Sequence, residues 1–139
     1  MTSLQEMALT ILVVEASPAA APALSAALQG RFGARVRMVT TANVAEALYL
    51  IATQPIHLVV AHVRCGGGGG LVLCRALRDL PNGEALPIML VGEHVPAREK
   101  IAGFTSGADD YLVRPIDDRM LAARVELLWR IKSIEQLHS

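Results

Sequence analysis

His57-Leu58-Val59-Val60-Ala61-His62 is an apolar run closed by a titratable side chain, and the rest of the chain is built around it. A short run without period-two alternation suits a strand covered on both faces. We read the strand as Ile56–Ala61, so that His62 points off its carboxyl end. His57 lies five positions earlier, and strand alternation predicts the opposite face for it.

Working outward, Leu9–Val14, Arg35–Val39, Pro87–Val91 and Tyr111–Val113 read as four more strands. In the second, Arg35 and Arg37 alternate with Val36 and Met38, which suits a place near a sheet edge. Helical patterns fill the intervals. Ser17-Pro18 is a capping residue followed by proline, with Leu24 and Leu28 four apart and Gly30 and Gly33 closing the unit. Asn43–Ala52 carries Val44, Ala47, Leu48 and Ile51 on one face, and Leu71–Leu80 runs into the turn Pro81-Asn82-Gly83. Pro96–Ser106 has a stripe of Ala97, Ile101 and Phe104 and meets its stop at Gly107. Asp117 and Asp118 open a last helix running towards His138. Strict alternation of strand and helix predicts an α/β fold: a doubly wound five-stranded parallel sheet with helices on both faces. Chemistry in such sheets gathers at the carboxyl ends of the strands, where the sequence places Glu15, Ala16, His62, Gly92 and Arg114.

Composition sets limits on function. The 139 residues fit one domain. Thirteen basic and thirteen acidic residues balance, which argues against a nucleic-acid or membrane surface. No apolar stretch reaches the roughly 18 residues of a spanning helix, and Met1–Met7 lacks the pattern of a secretory signal. Cys65 and Cys74 have no metal-ligand spacing and read as reduced thiols, consistent with a cytoplasmic location. The run Gly66–Gly70 lacks the Lys-Ser or Lys-Thr of a phosphate loop and reads as a mobile link before the third helix.

The stretch Gly107-Ala108-Asp109-Asp110-Tyr111-Leu112-Val113-Arg114-Pro115-Ile116-Asp117 resembles the final strand and following loop of bacterial two-component receiver domains. Pro87–Val91 and Leu71–Arg78 also fit that family, and the likeness covers residues 9–131. The resemblance implies a flavodoxin-like receiver fold and a phosphorylation site of five groups. An acidic pair after the first strand would hold magnesium; here it is Glu15-Ala16. The acceptor aspartate is replaced by His62, the hydroxyl residue after the fourth strand by Gly92, and the lysine before proline by Arg114. Phosphoryl transfer needs metal and positioned charge together, so the resemblance implies a degenerate receiver with no catalytic residue and no metal ligand set. Magnesium binding is expected to be weak or absent.

Each altered residue has a plainer reading. Glu15 and Arg114 can form a salt bridge in place of the metal and phosphate. His62 is read first as a filling or hydrogen-bonding side chain, and after that as a metal ligand or phosphohistidine. Arg114-Pro115 matches a bond that is cis in the family, making Pro115 a cis-proline candidate. Tyr111 resembles the family's switch aromatic and, with no hydroxyl at Gly92, is expected to be held in one orientation.

In the last helix, Leu121, Val125 and Leu128 have core spacing. Leu127, Ile131, Ile134 and His138 form a second stripe suited to a helix pair. Residues 1–8 read as an N-terminal extension, 9–131 as the domain, and 132–139 as the end of the long helix and a link to an output domain. The expected role is a phosphorylation-independent protein-interaction or dimerisation module in signal transduction. It would use the fourth helix, fifth strand and fifth helix against a protein partner or a second copy, without nucleic acid or membrane. Two alternatives stand beside it: a phosphorylatable receiver in a phosphorelay with an atypical site, and a small-ligand sensor. The motif Asp-Tyr-Leu followed by Arg-Pro-Ile-Asp also resembles receivers joined to diguanylate cyclases.

Overall fold

The computed structural model describes residues 9–93 and 96–137, with side chains through residue 132. Among these residues, five strands alternate with five helices. They are β1 (Leu9–Val14), α1 (Ala20–Phe32), β2 (Val36–Thr41), α2 (Val44–Thr53), β3 (Leu58–His62), α3 (Gly69–Arg78), β4 (Ile88–Gly92), α4 (Ala97–Thr105), β5 (Asp110–Val113) and α5 (Asp118–Leu137). All strand pairs are parallel, in the order β2-β1-β3-β4-β5. The chain reverses its direction of winding between β1 and β3, which opens a crevice at their carboxyl ends. This is the expected doubly wound α/β fold with a five-stranded parallel sheet.

β1, β3 and β4 are buried along their whole length because helices cover both faces. On one face Ile11, Val13, Val60 and Met89 meet Leu24 and Leu28 of α1 and Leu121, Val125 and Leu128 of α5. On the other, Leu12, Val59, Ile88 and Leu90 meet Ala47 of α2 and Leu73 and Leu77 of α3. Each such aliphatic side chain contributes about 1.5–3 kcal/mol on burial, so two clusters sharing one sheet hold the strand ends in fixed register. β2 lies at an edge, as the exposed Arg37 predicts.

Several boundaries differ from expectation. β2 starts one residue later than Arg35, because Gly33–Arg35 forms a 3-10 turn. Gly30 lies within α1, and Gly33, with φ of 63°, ends it. α1 begins at Ala20 rather than at Pro18, with Ser17 Oγ accepting from the Ala20 amide at 3.3 Å. β3 comprises Leu58–His62, so His57 precedes the strand and the length of β3, not side-chain alternation, separates the two histidines.

The glycine run is a close-packed turn rather than a loose link. Gly66 exchanges backbone hydrogen bonds with Ala42 and Val44 at 2.9 and 2.8 Å, and Gly69 and Gly70 open α3. A Cβ at Gly69 would lie 2.7 Å from the Val63 carbonyl, in a backbone with φ of 85°, so only glycine fits there.

At the foot of the sheet, His57 Nδ1 accepts from the Thr10 amide at 3.0 Å, and its ring meets Trp129 edge-on at 6.2 Å between centroids. Burial holds this imidazole below its ordinary value of 6.5. The unfolded chain therefore takes up the proton first. Its contribution to stability is complete above pH 6.5 and is lost as the pH falls through the lowered folded value. Thermal unfolding followed against pH should show this acid-side loss in the native chain and less of it in His57→Gln.

Candidate functional site

Four strand ends bring the predicted residues together. Glu15 follows β1, His62 ends β3, Gly92 ends β4 and Arg114 follows β5. The backbone continues the sheet into these loops, with the Glu15 amide bonded to the Thr41 carbonyl at 2.9 Å and the Arg114 amide to the Gly92 carbonyl at 2.7 Å. The Arg114–Pro115 peptide is cis.

The side chains form a continuous line of polar contacts. Glu15, with 5% of its side chain exposed, accepts from Arg114 Nη2 at 3.1 Å through Oε2 and from the Ser17 amide at 3.0 Å through Oε1. Arg114 Nη1 turns to Glu93 Oε1 at 3.4 Å. The other oxygen of Glu93 lies 2.8 Å from His62 Nε2. His62 Nδ1 in turn accepts from the Arg64 amide at 3.0 Å. The carboxyl of Glu93 is held below its ordinary range, chiefly by the His62 hydrogen bond.

Sequence reasoning joined Glu15 to Arg114 and missed Glu93. Its signal is its position: a carboxylate directly after Gly92 sits where the crevice at the strand ends opens. His62 is the hydrogen-bonding side chain that was expected, and the carboxylate it meets is Glu93. Ala16 is exposed and carries no donor or acceptor on its side chain. Cys65, near this end of the sheet, is buried, and burial pushes its thiol up to about 11.

Tyr111 is turned inward, with 6% of its surface exposed. A Cβ at Gly92 would lie 2.8 Å from its hydroxyl oxygen, so the phenol occupies the space that a side chain at position 92 would fill. Its hydroxyl has no hydrogen-bond partner among the described residues, and burial raises its pKa. Gly92→Thr should therefore drive the ring outward and cost about 1–3 kcal/mol by overpacking. Ring resonances of Tyr111 and a denaturation midpoint would measure the two effects.

Beside Arg114, α1, the loop after β5 and α5 flank an open groove of about 600 Å³ lined by Ala20, Ala23, Leu24, Ile116 and Leu121. Further along α5, Leu127 and Ile131 are 47% and 43% exposed, so the second stripe faces outward as far as it is described. The side chain of Ile134 and the whole of His138 lie outside the described residues. No helix among the described residues is long and apolar enough to cross a membrane.

Residues 11–126 match the family described as response regulator receiver domain. The response regulator PleD of Caulobacter vibrioides is 33% identical over 128 residues, which is 92% of this chain and 28% of PleD. The TorCAD operon transcriptional regulatory protein TorR of Escherichia coli O157:H7 is 34% identical over 117 residues, 83% of this chain and 50% of TorR. Among solved structures, the signal receiver domain of a signal transduction histidine kinase from Syntrophus aciditrophicus superposes with a TM-score of 0.75. Its identity is 29%, over 87% of this chain and 89% of that chain. The chain thus spans half or less of the length of these two curated relatives.

Proposed function

The chain belongs to the response regulator receiver domain family, and on that premise we propose that it acts in signal transduction as a phosphorylation-independent interaction module. The observation that carries this reading is the line Glu15–Arg114–Glu93–His62, which satisfies the crevice with the chain's own charges. Magnesium requires oxygen donors in near-octahedral array. Both Glu15 oxygens already accept hydrogen bonds, Ala16 offers none, and His62 presents an imidazole. This donor set does not fit the ion. Arg114, the cation an incoming phosphoryl group would meet, is paired with two carboxylates. We assign the domain no reaction of its own.

Its output would pass through α4, β5 and α5, to a protein partner or to a second copy in a homodimer. Ile101 and Phe104 of α4 and Leu127 and Ile131 of α5 leave large apolar side chains exposed there. The length of α5 supports a place ahead of an output domain, for which the sequence resemblance suggests a diguanylate cyclase. We place the domain in the cytoplasm, without a nucleic-acid or membrane surface.

Incubation with acetyl phosphate and magnesium, read by intact mass and sedimentation, tests the proposal. Neither a phosphoryl adduct nor a change in assembly is expected; an adduct on the native chain would overturn the reading. His62→Asp alone should also remain unmodified, since Ala16 and Gly92 still lack the metal ligand and the hydroxyl. The open groove beside Arg114 favours a second reading, a small-ligand sensor. A thermal shift with one nucleotide or metal from a panel, lost on Leu24→Trp, would support it.

A further inference from the structure

We propose that His62 is a pH-operated latch, whose protonation releases the Arg64 amide and so loosens the loop joining β3 to α3. A backbone amide can only donate, so the 3.0 Å contact from the Arg64 amide requires a lone pair on His62 Nδ1. The ring is therefore neutral in this arrangement, with its proton on Nε2, directed to Glu93 Oε2 at 2.8 Å. A second proton can bind only at Nδ1. Both ring nitrogens are then donors, and turning the ring over does not restore an acceptor for Arg64. The Glu93 contact becomes a full ion pair while the Arg64 hydrogen bond is lost.

The charges around the ring come from every loop at this end of the sheet. Among the described residues these are Glu93 after β4, Glu15 after β1, Arg114 after β5 and Arg64 in the loop itself, and the His62 side chain is 10% exposed. The buried thiol of Cys65 lies next in the loop, and Glu99 of α4 is 3.9 Å from the Arg64 guanidinium. Arg64 thus joins the latch to α4, part of the surface proposed for partner binding. Imidazoles ordinarily titrate near ~6.5, within the range of cellular pH changes. The latch rests on the His62 contacts themselves; only its consequence for a partner rests on the interaction-module reading.

A pH titration of the 139-residue chain by NMR tests it, following the His62 ring nitrogens and the Arg64 amide together. At high pH, Nδ1 should give the shift of an unprotonated nitrogen. As the ring takes up its second proton, the Arg64 amide should move with the same midpoint. Its protection from solvent exchange, corrected for intrinsic rates, should fall roughly 2- to 10-fold, the range expected for one hydrogen bond. In His62→Gln, whose amide keeps one donor and one acceptor but does not titrate, the Arg64 response should disappear. A protonated Nδ1 in the neutral ring, a flat Arg64 trace through the His62 titration, or a ring that stays neutral down to acid unfolding would each overturn the latch. A flat trace leaves the acetyl phosphate result untouched, and a phosphoryl adduct leaves the titration untouched, so the two failures are distinguishable.

Discussion

Arg114→Ala is expected to lower the unfolding free energy by about 2–3 kcal/mol. Breaking a buried ion pair costs roughly 3–5 kcal/mol when the remaining charge is left uncompensated. The loss here is smaller because 22% of the Arg114 side chain reaches solvent. What raises it above a surface pair is Glu15, whose carboxylate would keep only the Ser17 amide as partner. The paired replacement Glu15→Leu with Arg114→Met should recover most of the loss, since both charges leave together. Urea unfolding of the two single variants and the double variant measures this coupling. Equal and additive losses would show that Glu15 does not depend on Arg114.

Arg78→Met has the largest expected effect at the opposite end of the sheet, about 3–5 kcal/mol. Its guanidinium donates to the carbonyls of Gly107 at 2.6 and 3.0 Å and of Gly83 and Leu86 at 2.6 Å each, and to Asp109 Oδ2 at 2.9 Å. Methionine fills much of the same volume and supplies none of these donors. Asp109 would retain the Ile88 amide and Lys132, the latter at 3.2 Å. The loss therefore falls mainly on the three carbonyls and on the loops that Arg78 ties to β5. The crevice residues should be undisturbed, so Arg64 and Tyr111 resonances should keep their native positions while the urea midpoint drops.

How far the sequence reached differs between the fold and the site. Continuous apolar runs in β1, β3 and β4 announced strands covered on both sides, and the arginines of β2 announced an edge, because burial dictates those patterns directly. The strand ends followed from the fold, and with them the meeting of Glu15, His62, Gly92 and Arg114. Glu93 was not legible, because a charged residue in a loop has no periodicity and its meaning depends on two partners brought by β3 and β5. The same holds for Arg78 and Asp109. Both stood in stretches read for family likeness, yet their contact joins residues 31 positions apart through the fold alone. The glycine run differs from its expected looseness for a related reason. Glycine signals freedom in isolation, whereas Gly69 and Gly70 are required by the close approach of Val63 and Leu90.

We propose that the crevice is satisfied from within and has no seat for a divalent cation. Titration of the chain with magnesium, followed by the amide resonances of residues 15, 62, 64 and 114, tests it most directly. We expect no saturable shifts at any of the four through millimolar concentrations. A saturating response at Glu15 and His62 together, with Arg114 released from its carboxylates, would contradict the account.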